Sequence, residues 1–400
     1  MNMKKHLVII CGVMYPNASA TGICAQRFAE LLSSDYEIDI ICIASDMNTV
    51  AVEYNSEIRI HALSGGAMWM EAHSKGVLKK LSHLYGQIQI KTIFLGNMRW
   101  FVNAALKKME EIDRISKIDI VFSVCSPLSA HCAALKFRDS HCAIRWVAYT
   151  VDLYAIPERI RPFFYTLEKL SKKELRILQG ADAVFLSEEI YSNHSEIVAN
   201  LNNVERLPYV IPEQEIIEDN PKSLEKDHID CVFAGSLYKE LRNPEVMLDV
   251  FSRMTDKRIK LHLYCAGCDD LVMKYSSNCD SIIAHGRVTY EEIQRVYQKA
   301  DVLVNIGNAN SDFIPSKTFE YIAIGKPIVN FYYGIEPDSV LGKYPLAFHI
   351  SNTTMQSNIC GIEEFLEINR DKVLLRREIE NLYPQNTVEF IKDLLKNKLG

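Results

Sequence analysis

Asp312, Ser316, Lys317 and Glu320 form the densest run of chemically useful side chains in this 400-residue chain. An acid, a hydroxyl and a cation arrive in order, and Glu320 follows Ser316 by four residues, which on a helix puts both on one face. A carboxylate there can accept two hydrogen bonds from a sugar diol, while a helix start beside a lysine can hold a phosphate. The same residues also fit a plainer reading, with Ser316 as an N-cap and Thr318 and Glu320 in a solvated first turn. The surrounding elements fix where the loop lies. Val302-Leu303-Val304-Asn305-Ile306 has the length and branching of a buried strand, and Gly325 with Pro327 just beyond stops the helix. Strand, polar loop, helix, strand is the order in which α/β sheets place phosphates and nucleotides, at the carboxyl end of a parallel strand.

A second loop of related composition runs from Phe233 to Glu245: a glycine turn at Gly235-Ser236, the cations Lys239 and Arg242, and Pro244 suited to start a helix. Alone it fits a capped surface loop. Beside the Asp312 loop, both at carboxyl ends of strands in one domain, it predicts one cleft. His285-Gly-Arg287-Val288 ends a further strand, although Arg287 also fits a solvated surface position. Near the start, Thr21-Gly22 makes a glycine-bearing turn after the first strand, without the G-x-G-x-x-G spacing of a dinucleotide fingerprint. Asp152 ends a strand and fits a helix cap as well as a binding role. Cys265-x2-Cys268, with Cys279 and His285 downstream, lacks a second C-x2-C pair, so zinc is not expected. No D-x-D triplet is present to hold Mg²⁺ on a diphosphate, and neither metal nor cofactor is expected.

The elements that must position these residues alternate. Apolar runs at residues 6–14, 37–43, 58–62, 118–124, 143–150 and 183–186 are separated mostly by helix-length segments, the pattern of a parallel sheet covered on both faces. A proline-bearing acidic stretch follows, then runs at 229–234, 259–264, 281–285, 301–306 and 327–330. Four hundred residues exceed one core, and the fold class read from this is α/β with two Rossmann-like domains. The boundaries are 1–206, a linker at 207–228, a second domain at 229–383 and a C-terminal amphipathic helix at 384–400. Eleven cysteines, an odd number scattered through strand-like runs, suit buried thiols in a reducing cytoplasm. No apolar run approaches the ~20 residues of a membrane span, and nothing reads as a signal peptide. Net charge is −6, with +1 on residues 1–206 (23 Lys and Arg against 22 Asp and Glu) and −7 on the remainder, which argues against a nucleic-acid partner.

Asp312 and Glu320 are spaced as in the acid-x7-acid motif, and PSKTFEYIAIGKPIV resembles the variant found in retaining glycosyltransferases of family 4 type that build bacterial surface polysaccharides. The resemblance covers nearly the whole chain and implies the GT-B fold, two Rossmann-like domains facing a cleft, with a C-terminal helix crossing back to the first. It implies a nucleotide-sugar donor in the second domain. Glu320 would then hold the ribose diol, Arg242, Ser316 and Lys317 the diphosphate, and Asp312 the sugar hydroxyls. Arg287 and Val288 would lie by the nucleobase, Gly235, Ser236 and Lys239 by the phosphates, Gly22 beneath them, and Asp152 on the acceptor side. It further implies transfer to a glycan or polyprenyl-diphosphate-linked acceptor with retention of configuration. Two departures stand out: Ser236 occupies the place of an arginine, and Asp312 that of a more usual glutamate. They leave open a non-catalytic nucleotide-sugar or glycan-binding subunit of a synthesis complex.

Residues 75–117 hold nine basic and three acidic residues interleaved with Leu78, Leu81, Tyr85, Ile93, Phe94, Trp100, Phe101 and Leu106, and Met68 and Trp69 precede them. Such a mixture suits an anionic membrane surface, and equally a pair of amphipathic helices with a solvated basic face. The resemblance to enzymes with lipid-linked acceptors favours the membrane, hence a peripheral place on the inner face of the cell membrane.

Overall fold

The computed structural model describes residues 4–15, 19–45, 52–55, 57–66, 70–71, 74–156, 162–213, 227–309, 314–353 and 359–400. The chain divides into two compact units, one of Met1–Pro208 with Glu389–Gly400 and the other of Tyr209–Val388.

In the first unit the described elements are β1 (Lys5–Tyr15), α1 (Ala20–Leu32), β2 (Tyr36–Ala44), β3 (Val52–Asn55), β4 (Ile58–Leu63), α2 (Gly76–Thr92), α3 (Arg99–Ile115), β5 (Ile120–Cys125), α4 (Ser129–Ser140), β6 (Arg145–Thr150), α5 (Leu167–Leu178), β7 (Ala183–Leu186), α6 (Glu188–Asn193), α7 (Ser195–Val198) and β8 (Val204–Arg206). The strands join in the order β3-β4-β2-β1-β5-β6-β7-β8. All neighbours are parallel except β3, which pairs antiparallel with β4 at the edge. Leu7 to Cys11 are fully buried, the continuous apolar run of a strand covered on both faces. Short β3 and β8 carry no such run and are invisible to the apolar pattern.

The second unit contains β9 (Ile229–Ser236), α8 (Glu245–Ser252), β10 (Ile259–Ala266), α9 (Asp269–Asn278), β11 (Ile282–Ala284), α10 (Tyr290–Lys299), β12 (Val302–Ile306), α11 (Ser316–Ile324), β13 (Ile328–Tyr332), β14 (Ala347–Ser351), α12 (Ile359–Asn369) and α13 (Arg376–Leu382). Its six strands are all parallel in the order β11-β10-β9-β12-β13-β14. Renumbered within the unit this is 3-2-1-4-5-6, the order of a nucleotide-binding sheet, and its switch point lies between β9 and β12. The architecture is thus two Rossmann-like domains, the GT-B type. Tyr209 and Ile211, read from sequence as linker, belong to the second unit: Tyr209 lies 4.9 Å from the Phe319 ring, and Ile211 is buried with its amide on the Asn386 carbonyl. Residues 214–226 of that stretch lie outside the described residues.

The last helix, α14 (Val388–Leu399), packs within the first unit from Glu389 onward. Ile391, Leu395 and Leu399 are buried, and Asp35 takes Lys396 at 2.7 Å and Lys392 at 3.1 Å. Arg145 Nε donates to the Lys398 carbonyl at 2.7 Å, and Lys5 donates to the Gly400 carbonyl.

Candidate functional site

The site in the second unit begins where β9 ends. Gly235 takes φ +153, and Leu237 donates to the Ala266 carbonyl at the end of β10. The chain then turns back on itself: Tyr238 and Arg242 exchange backbone hydrogen bonds at 3.2 and 2.7 Å. Asn243 is fastened from the residues that follow β13 and β14, its amide donating to the Tyr333 hydroxyl and its carbonyl accepting from Asn352 Nδ2. This tight loop fixes the Arg242 guanidinium. Its Nη2 donates to Asn308 Oδ1 at 2.7 Å and its Nη1 to the Ser236 carbonyl at 3.3 Å, while the buried Nε has no hydrogen-bond partner among the described residues.

Lys317 approaches from the other side of the switch point, in the first turn of α11. Its Nζ donates to the Tyr297 hydroxyl at 3.4 Å, and the Tyr297 ring meets Tyr321 edge-on at 5.2 Å. Tyr321 in turn lies by β9, accepting from the Ala234 amide at 3.3 Å, and burial pushes its hydroxyl up to about 12. α11 is anchored at its far end by Gly325 (φ +77), where a Cβ would stand 2.5 Å from the Leu374 carbonyl oxygen, so only glycine fits that cap.

Gly235 lies beside the side chains of both cations: a Cβ there would lie 3.7 Å from Arg242 Nη1 and 4.0 Å from Lys317 Cδ. Burial pushes the Lys317 ammonium down; Glu320 opposes this, and the Arg242 and Arg287 charges push it further down. Burial likewise pushes Arg242 down. Neither cation forms an ion pair with a carboxylate among the described residues. Two half-buried like charges beside a helix N-terminus, with the Glu320 charge acting on Lys317 but no carboxylate ion-paired to either cation among the described residues, are the donor set that an anion needs.

The structure therefore brings together Gly235, Ser236, Arg242, Lys317 and, one turn along α11, the buried Glu320. Arg287 is exposed after β11 but close enough to act on Lys317, and Val288 is half-buried against the same core. Ser316 is the first residue of α11, and Pro315 rather than Ser316 takes the N-cap position. Lys239 is exposed at the tip of the β9 loop, and no hydrogen bond or ion pair among the described residues ties it to the cation pair. Asp312 lies outside the described residues. Asn308, Tyr297 and Tyr321 escaped the sequence reading because two look like core tyrosines on helices and one like a loop amide.

In the first unit, Gly22 corrects an expectation. It is not in a turn but in the first turn of α1, where Ser19 Oγ accepts its amide at 3.2 Å. A Cβ would lie 2.3 Å from the Val13 carbonyl oxygen, so close helix-to-strand packing accounts for the glycine. Asp152 is half-buried just past β6, and the following Tyr154 and Ala155 amides both donate to the buried Glu174 carboxylate. Cys265 and Cys268, like the other nine cysteines, are free thiols, and burial pushes Cys265 up to about 11.

Comparison with known proteins bears on this site directly. Residues 228–345 match the family described as Glycosyl transferases group 1. The matched segment lies within the second unit. That match spans β9 to the turn before β14, and so includes Gly235, Arg242, Lys317 and Glu320. No curated protein matches the chain. Solved structures share the fold over its whole length. One described as trehalose-6-phosphate from E. coli bound with UDP-2-fluoro glucose aligns with TM-score 0.66 at 10% identity, covering 99% of both chains. The lipopolysaccharide outer core galactosyltransferase WaaB gives 0.56 at 11% identity over 98% of each. Anabaena Alr3699/HepE in complex with UDP-glucose gives 0.57 at 9% identity over 98% of this chain and 99% of that one.

Proposed function

We propose that this protein is a glycosyltransferase that moves a sugar from a nucleotide-sugar to a glycan or polyprenyl-diphosphate-linked acceptor, in bacterial surface-polysaccharide synthesis at the inner face of the cell membrane. The observation that carries the reading is the pair Arg242 and Lys317, held around Gly235 at the switch point without a described carboxylate partner. Breaking the glycosidic bond puts negative charge on the departing diphosphate. Fixed cations and the start of α11 stabilise that charge more in the transition state than in the ground state. Glu320 takes the ribose hydroxyls, Ser316 adds a donor to the phosphates, Arg287 and Val288 flank the base, and Asp312 takes the sugar hydroxyls. Asp152 faces the acceptor.

With the leaving charge neutralised by side chains, the reaction runs without a divalent ion. Configuration is retained by attack on the face the diphosphate leaves, the departing phosphate oxygen accepting the proton of the incoming hydroxyl. Incubation with nucleotide-sugars and a membrane glycolipid extract, followed by product analysis, tests this. Acceptor-dependent release of nucleoside diphosphate with a retained anomeric centre is expected. Donor binding without turnover, on a chain whose Ser236 replaces a customary arginine, would make the protein a binding subunit instead.

A further inference from the structure

We propose that the outward face of α2 docks the first unit onto an anionic lipid surface, which gives the lipid-linked acceptor of the proposed function a physical address but stands on the surface of this unit alone. An amphipathic helix on a soluble protein turns its apolar stripe inward. Helix α2 does the reverse. Val77, Leu78, Leu81, Leu84, Tyr85 and Ile88 are 49–73% exposed. At ~100° per residue they fall within an arc of about 120° on one side of the helix. Its two buried residues, Ser82 and Gly86, fall about 40° and 80° beyond the Leu78 edge of that arc, so the helix meets the protein along one flank by its small residues and leaves the apolar arc outward.

The apolar surface continues beyond the helix. The Phe163 amide donates to the Lys91 carbonyl in the last turn of α2 at 2.7 Å, and the Phe163 and Phe164 side chains are 76% and 77% exposed. The neighbouring α3 behaves in the ordinary way, burying Phe101, Val102, Ala105, Met109 and Ile112. The basic aromatic region read from sequence therefore divides: α3 is core, and α2 presents the interface. An exposed stripe of this kind marks a partner.

Charge selects the partner. Residues 75–109 hold seven Lys and Arg and no Asp or Glu. The nearby acid Glu71 is paired with His83 at 3.1 Å. Lys75, Lys79, Lys80 and Lys91 are outward on or beside α2. A second copy docking by the same face would set two such acid-free surfaces against each other, whereas an anionic headgroup layer meets the lysines while the leucines enter the acyl boundary. No helix among the described residues is long and apolar enough to cross a membrane, so the face lies in the interface plane.

The test is flotation of the full chain with phosphatidylglycerol-containing and pure phosphatidylcholine vesicles at low and high salt. Wild type should float with the anionic vesicles only, and less at high salt. Leu81→Asp with Leu84→Asp and Ile88→Asp should lower the bound fraction at least tenfold at unchanged melting temperature, these positions being exposed. Lys79→Glu with Lys80→Glu should do the same if the triple variant proves unstable. Binding that survives either set in a folded protein, equal flotation with neutral vesicles, or no flotation overturns the proposal. So does a concentration-dependent dimer that the triple variant splits, which would make a second copy the occupant. Nucleotide-sugar thermal shifts on the same preparations report the second unit separately, so failure of docking and failure of the transferase reading are told apart.

Discussion

Replacing Lys317 with methionine should raise stability and destroy activity together. Methionine keeps the length of the side chain and removes the ammonium. In the free protein that ammonium is disfavoured, first by burial and then by Arg242 and Arg287, while the Glu320 charge opposes them. Its single hydrogen bond among the described residues, to the Tyr297 hydroxyl, is long at 3.4 Å. A poorly compensated buried polar group costs ~1–3 kcal/mol. Relief of the lower figure, about 1 kcal/mol, raises Tm by ~2–4 °C for a domain of this size. Catalysis moves the other way: one lost donor to a developing anion costs ~2.7–4 kcal/mol, so kcat/KM should fall by ~10²–10³. The pH dependence carries a third signature. Because the folded value lies below the unfolded one, the unfolded chain holds more protons in the window between them, and wild-type stability rises with pH there. The variant lacks that rise. Differential scanning fluorimetry without nucleotide and steady-state kinetics are the assays. A lower Tm in the free variant, with kcat/KM within threefold of wild type, would refute the assignment of Lys317 to a strained anion site.

Glu320→Gln keeps size but loses a charge-assisted acceptor, so nucleotide-sugar affinity should fall while Tm holds; titration calorimetry beside thermal melting checks this, and the reverse pattern would make Glu320 structural. Transfer should survive EDTA, and loss restored by Mg²⁺ or Mn²⁺ would show that the cation pair is not sufficient. Leu395→Ala should cost ~2–5 kcal/mol in the unfolding transition that nucleotide does not shift, since Leu395 is fully buried in the first unit. Burial pushes His6 down, but the hydrogen bond and charge of Asp39, whose Oδ2 lies 2.6 Å from His6 Nε2, outweigh it and raise the imidazole above its ordinary value. The stabilisation it brings is full below about pH 6.5 and is lost as pH rises through the folded value. His6→Gln should flatten that slope in pH-dependent melting.

The strands that carry the site were legible because their residues are buried on both faces. Val302 to Ile306 are all buried, and the run reads directly as a strand. Ala347–Ser351 mixes His349 and Ser351 with apolar residues, and Val204–Arg206 is three residues long, so neither announces itself. Sheet order was not legible, since register lies in pairings between distant residues. The spacing of Gly235, Arg242, Lys317 and Glu320 pointed to one place, but Asn308 and Tyr297, which hold the two cations, have no signature beyond their position. Gly22 was legible as a required glycine and misread as a turn, because a close approach to the Val13 carbonyl leaves the same mark as a positive φ. On α2 the period showed an amphipathic helix; only the buried Ser82 and Gly86 tell which side the protein lies on.

Thermal shift of the full chain against UDP-, GDP-, CMP- and ADP-sugars tests the diphosphate site most directly. A nucleoside-diphosphate sugar held at about 100 times its Kd should add about 2.7 kcal/mol of stability, and the shift should vanish when Arg242→Ala and Lys317→Ala are combined. No shift with any donor, or an equal shift in the double variant, would contradict the placement of the donor between these two cations.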